Sequence, residues 1–260
     1  MERAYVGIDV AFAKRKRLPI VVSTLRESRL EPLPLRCASE KPPVGKGNEA
    51  TLDDSLVSRF AEDTADYLRA VESAFKVSIC CVAIDAPSMP KIPGRERRRC
   101  EVELDRNHIH CISTPSLAEF VVIRKKAAQH LLSRGAASHL PAANQLWMLV
   151  RFELFRVLRR NWECIEVFPQ AIAAFLNASD RHKSTPEGLL AQLKAVSHYT
   201  HWPVTAEVLD LSQIAYGSPH DRLDAYLSAW VASLAETNRL PLGLLPDDAI
   251  WVPHLPQHQP

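Results

Sequence analysis

Hydrophobic and polar positions along this chain alternate between short β-branched runs and longer stretches of helical spacing. Arg3 to Phe12 contains Val6-Gly7-Ile8-Asp9-Val10 and predicts a first strand, with one acid set among apolar residues. Leu18 to Thr24 predicts a short second strand, and Lys14 to Arg17 the turn before it. Leu30 to Arg36 predicts a third strand, which Pro32 and Pro34 restrict to a sheet edge. Cys37 to Ala50 is polar and rich in Lys, Pro and Gly, the composition of a surface loop. From Leu52 to Phe75, residues Leu56, Phe60, Ala61, Thr64, Tyr67, Leu68 and Val71 recur at helical spacing and predict an amphipathic helix. Val77 to Asp85 is apolar almost throughout, which predicts a central strand covered on both faces. Pro87 and Pro90 then break it.

Further along, helices are predicted at Leu117 to Ser133 and Ala142 to Arg160, and a strand at Trp162 to Phe168. Trp147, Phe152, Phe155 and Leu158 form a stripe on the second of these helices that reads as core. Shorter helices are expected at Gln170 to Asn177, Pro186 to Val196 and Thr205 to Tyr216. Pro219 to Glu236 carries the strongest start signal, with Ser218 as N-cap and Pro219 at the first helical position. The order is three strands, helix, strand, helical insertion, strand, then helices. It predicts an α/β fold: a five-stranded mixed sheet, opening as a meander and closing in βα units, with helices on both faces. We expect one domain over residues 1–240, a helical insertion at about 115–160, and an irregular Pro-containing tail over 241–260.

Composition narrows the function classes. The chain has 260 residues, a net charge of +2 and 24% charged residues, so nucleic-acid binding would need a local patch. Such a stretch exists between Lys91 and Arg106, with Arg95, Arg97, Arg98, Arg99 and Arg106, although Glu101 and Asp105 offset it. No apolar run approaches the ~18 residues of a membrane span. Asp9 and the run Lys14-Arg15-Lys16-Arg17 interrupt any signal-peptide core. Six cysteines without a CxxC pair fit free, largely buried thiols and a cytoplasmic protein. His108, His110 and Cys111 have no second pair at zinc spacing.

The candidate chemistry lies in acids that interrupt apolar segments. Asp9, Asp85 and Glu166 fall in or at the ends of three predicted strands, and neighbouring strands are only ~4.8 Å apart. Asp221 and Asp224 project from one face of the last long helix. Clustered carboxylates repel unless a cation neutralises them or some are protonated. Oxygen donors select Mg²⁺ or Mn²⁺, and two such ions ~3.5–4 Å apart can activate water and stabilise the leaving oxygen of a phosphodiester. Structural alternatives stand beside these: an Asx-type turn for Asp85, a buried arginine partner for Glu166, and a capping box with Ser218 for Asp221. Lys183 precedes a predicted helix start at Thr185-Pro186 and, with His182, is a candidate phosphate ligand. Arg95, Arg98 and Arg99 are candidates for holding a nucleic-acid backbone.

Seven segments together resemble the DUF429 family: Gly7-Ile8-Asp9, Ile84-Asp85-Ala86-Pro87, Arg98-Arg99-Cys100-Glu101, Thr114-Pro115-Ser116, Ile165-Glu166-Val167-Phe168-Pro169, Lys183-Ser184-Thr185-Pro186-Glu187-Gly188 and Asp221-Arg222-Leu223-Asp224-Ala225. The resemblance spans roughly Val6 to Ala232. It implies an RNase H-like fold and a predicted metal-dependent nuclease. Asp9, Asp85 and one or both of Asp221 and Asp224 would be metal ligands, with Glu166 as a further ligand or one that orients them. The basic turn after Ala11-Phe12-Ala13 departs from the family pattern. Two other classes stay open: a non-catalytic binding or scaffold module, and an ATP-dependent phosphotransferase. The latter needs glycine-rich phosphate loops, whereas the chain has eight glycines and no GxG at a strand end.

Overall fold

A computed structural model describes residues 1–178, 182–205 and 210–255. Seven strands form one mixed sheet: β1 (Glu2–Asp9), β2 (Ile20–Arg26), β3 (Arg29–Pro32), β4 (Val77–Asp85), β5 (Glu163–Val167), β6 (Arg239–Leu244) and β7 (Asp248–Pro253). Their spatial order is β3-β2-β1-β4-β5-β7-β6. β1, β2 and β3 form an antiparallel meander. β4 lies parallel to β1, and β5 parallel to β4. The proline-bearing β3 sits at an edge, where a missing N–H costs no ladder bond.

The expectation of five strands is corrected by the C-terminal segment. Residues read as an irregular tail from 241 onward contribute most of an antiparallel hairpin, β6 and β7, and β7 joins β5. Their signal is weak because Pro241 and Gly243 interrupt β6 and because β7 is covered on both sides. Neither strand alternates cleanly between apolar and polar. Pro241 is tolerated because β6 is the outer strand. Residues 256–260 of the expected tail lie outside the described residues.

Eight α-helices are described. α1 (Asp54–Phe75) is capped by Asp53, whose carboxylate accepts from the Ser55 and Leu56 amides. It packs with α4 (Ala143–Leu158) over one face of the sheet. There Phe60, Leu68, Leu154 and Phe155 meet Val6, Ile8, Val82 and Ile84. Each such buried side chain contributes on the order of 2 kcal/mol. α3 (Leu117–Leu132) lies on α4, so the expected insertion is a helical pair, and α4 belongs to the main core. Of the stripe on α4, Phe155 and Leu158 are core as expected, whereas Phe152 and Trp147 are half-buried; Phe152 packs edge-on against Phe120, and Trp147 donates its indole N–H to Asn48 Oδ1 at 2.9 Å.

α8 (Pro219–Ser233) covers the opposite face, across β1, β4 and β2. α5 (Pro169–Phe175), α6 (Pro186–Thr200) and α7 (Leu211–Ile214) flank it. Part of the helix expected over Thr205 to Tyr216 falls at 206–209, outside the described residues. α2 (Arg99–Arg106) packs on β6 and β7 and lies inside the stretch read only as basic. Among the described residues no helix is long and apolar enough to cross a membrane. All six cysteines are free; Cys81 and Cys100 are buried, and Cys37 is exposed.

Candidate metal centre

The centre is assembled by register. β1 and β4 run parallel with Asp9 opposite Asp85, so both carboxylates leave the same face at neighbouring strand ends. α8 crosses that face. Gly7, two residues before Asp9 and on the same side of β1, has no side chain to hold the helix away. A Cβ there would lie 1.9 Å from the Ala225 carbonyl oxygen and 2.3 Å from the Ala229 amide nitrogen. The close approach delivers Asp224, and one carboxylate oxygen from each of Asp9, Asp85 and Asp224 lies within 4.8 Å of the others.

Charge in this cluster is incompletely balanced. The Lys183 ammonium pairs with Asp224 Oδ2. The other oxygen of Asp224, Oδ1, is buried without a hydrogen-bond partner on a residue only 4% exposed. Burial, then repulsion from Asp224, Asp85 and Asp221, holds the Asp9 pKa well above the usual carboxylate range. Burial and Asp224 push Asp85 up to about 7, against the pull of Lys183 and Arg151. Asp224 is raised by burial to about 6, opposed by Lys183. Burial depresses the Lys183 pKa, but Asp224 and Asp85 outweigh it and leave it above its ordinary value. Three carboxylates with one ammonium and one unpartnered buried oxygen form a donor set suited to a hard divalent cation.

The family model described as "Protein of unknown function (DUF429)" matches residues 7–249. The chain belongs to the DUF429 family. No curated protein and no solved structure matches it.

The remaining DUF429 motif residues have other partners. Glu166 does not join the cluster. It pairs with Ile84 in the parallel ladder, one position before Asp85, so it leaves the opposite face of the sheet. There Arg98 holds it with two hydrogen bonds of 2.8 Å, and the Ser88 amide donates at 2.7 Å. Two motifs of the DUF429 set are thus partners of each other. Arg98 is 2% exposed, so it is unavailable as a substrate ligand. Asp221 stands one helical turn before Asp224 and completes the α8 capping box. It accepts from the Ser218 amide at 2.8 Å, and His220 Nε2 lies 3.1 Å from its other oxygen. Lys183, expected at a phosphate, pairs with Asp224 of the acid cluster.

The other arginines of this stretch differ in their surroundings. Arg97 pairs with Asp105 at 3.2 Å and Arg106 with Glu103 at 2.6 Å, while Arg95 and Arg99 are exposed. One basic residue near the cluster escaped the sequence reading. Arg151 on α4 makes no hydrogen bond or ion pair with the described residues, and its Nε is buried without a partner. It lines a 440 Å³ cavity that also reaches Asp85. A sequence signal exists: Asn144, Trp147, Met148 and Arg151 follow an i, i+3, i+4, i+7 spacing, although Trp147 is shared with the stripe read as core.

The raised carboxylate pKa values make a prediction for metal-free protein. Groups facing the cluster are Asp9 and Asp85 from the strands, Asp221 and Asp224 from α8, Lys183 before α6, and Arg151 from α4. Between pH 5 and 7 the folded state holds protons that the unfolded chain has released, so stability falls as pH rises. Lys183 does not oppose this, because its raised pKa loses stability only above the ordinary lysine range. In EDTA, thermal melts should show a loss on the order of 2 kcal/mol from pH 5 to pH 7. Asp85→Asn should flatten the profile. A wild-type profile that rises over this interval would contradict the electrostatics.

Proposed function

We propose that this DUF429 protein is a divalent-metal-dependent phosphodiesterase, of nuclease type, built on an RNase H-like core. The observation that carries the reading is the convergence of Asp9, Asp85 and Asp224 with a buried, unpartnered Asp224 Oδ1. The strand order β3-β2-β1-β4-β5, antiparallel through the meander and parallel thereafter, supports the RNase H-like assignment. The β6–β7 hairpin extends that core. Asp9, Asp85 and Asp224 would hold Mg²⁺ or Mn²⁺, whose chemistry when bound is water activation and stabilisation of a leaving oxygen. Asp221 sets the start of α8 and thereby the position of Asp224. With a cation sharing Asp224, Lys183 would be free to meet a phosphate at the mouth of the site. The substrate class is nucleic acid or a nucleotide phosphodiester.

Thermal stability during a Mn²⁺ titration tests the site without choosing a substrate. Wild type should gain ~2.7 kcal/mol at 100 times the Kd. Asp9→Asn should stay folded and lose that gain. The same pair is then assayed on single-stranded and duplex DNA and RNA with Mn²⁺, where wild type should cleave and the variant should not. Full cleavage by folded Asp9→Asn would remove this site from the chemistry. The Lys183–Asp224 ion pair favours a second reading, in which the centre carries its own cation and the protein is a binding module. That reading predicts no Mn²⁺ response and no turnover.

A further inference from the structure

The cavity that reaches Asp85 has a chemistry of its own. One face of α4 supplies Asn144, Trp147 and Arg151, and Phe168 and Gln170 stand across the end of β5. Trp147 and Phe168 add aromatic surface, and the hydrogen bond from Trp147 to Asn48 fixes the indole. The side-chain amides of Asn144 and Gln170 are exposed and make no hydrogen bond to the described residues. Arg151 makes no hydrogen bond or ion pair with the described residues, and it lines the cavity together with Asp85. At 440 Å³ the space suits one small molecule rather than a stretch of duplex.

We infer that this cavity binds a single nucleotide unit of the substrate, with Arg151 on its phosphate, the aromatic wall against its base, and Asn144 and Gln170 on the base edge. The inference rests on the phosphodiesterase reading, and it narrows the substrate to an unpaired or extruded nucleotide. Aromatic side chains accept any base face. Free carboxamides match the donor and acceptor pattern of a base edge. A guanidinium with no internal partner is suited to a phosphate oxygen pair. Arg151 is therefore a substrate-binding residue, in place of the Arg95, Arg98 and Arg99 expected from the sequence.

Calorimetric titration with the four deoxynucleoside 5′-monophosphates, inorganic phosphate and a short DNA duplex, each with Mn²⁺, tests this. Wild type should bind at least one mononucleotide more tightly than inorganic phosphate. Arg151→Met should weaken it roughly 10- to 100-fold. This variant leaves no group unpaired and should fold. Asn144→Leu should change the preference among the four bases, and Arg95→Met should change nothing. Equal binding by Arg151→Met and wild type would overturn the assignment. So would duplex binding that depends on Arg95 and Arg99 but not on Arg151. Mn²⁺ stabilisation without mononucleotide binding would overturn the pocket assignment and leave the metal centre standing. Mononucleotide binding without Mn²⁺ stabilisation would uphold the pocket and overturn the metal-dependent reading.

Discussion

Gly7→Ala should destabilise the protein by on the order of 5 kcal/mol or more, a fall in Tm of about 10–20 °C. The added Cβ would sit 1.9 Å from the Ala225 oxygen, and ordinary contact begins at 3.4 Å, so α8 would have to withdraw by about 1.5 Å. Neither partner yields easily. The nearest atoms belong to the helix backbone, and β1 is bonded on both sides by β2 and β4. Withdrawal would also open the core beneath Leu223, Leu227 and Trp230. Asp224 rides on the same helix, so any folded fraction should have lost its Mn²⁺ response. Thermal melts in EDTA and in Mn²⁺ read the two effects separately. A Gly7→Ala protein with wild-type Tm would show that the helix does not seat on the strand as described.

Arg98→Met should cost about 3–5 kcal/mol, because it strands the Glu166 carboxylate in a buried site. Arg98 and Glu166 are 2% and 4% exposed and share two hydrogen bonds of 2.8 Å. The Arg98 Nε also lies 3.3 Å from Asp248 Oδ1, so the pair ties β5 to the C-terminal hairpin. Arg98→Met combined with Glu166→Leu should recover much of the loss, since the double change removes both charges together. The single variant should be less impaired at low pH, where Glu166 takes up a proton. Its Mn²⁺ midpoint should match wild type. Glu166→Gln should likewise lose stability and keep the midpoint. A lost Mn²⁺ response in folded Glu166→Gln would return Glu166 to the metal set. A double-mutant cycle read by chemical denaturation gives the coupling directly.

These two sites explain much of the motif pattern in physical terms. Gly7 precedes Asp9 by two residues because a position on the same strand face must be bare for α8 to arrive. The basic and acidic motifs around Arg98 and Glu166 match because each neutralises the other away from solvent. Thr185 and Ser116 cap helices, the former accepting from the Gly188 amide at 3.1 Å and the latter from the Glu119 amide at 3.3 Å. The helix start at Thr185 was read in advance, since a cap needs only a few consecutive residues, whereas the Ser116 cap was not.

Local periodicity determined the meander, β4, β5, the long helices α1, α3, α4 and α8, and the three acids set in apolar surroundings. Each depends on neighbours within a few positions, which a sequence displays. Tertiary structure alone decided which acids meet. A strand places alternate residues on opposite faces, so one step of register sends Asp85 to the α8 side and Glu166 to the α4 side. It also recruited β6 and β7, whose pairing with each other and with β5 supplies the order that their own patterns lack. Arg151 reached Asp85 only because α4 packs on α1 and β5 in one orientation. Register, face and packing angle are properties of pairs of elements, and no single segment of the chain contains them.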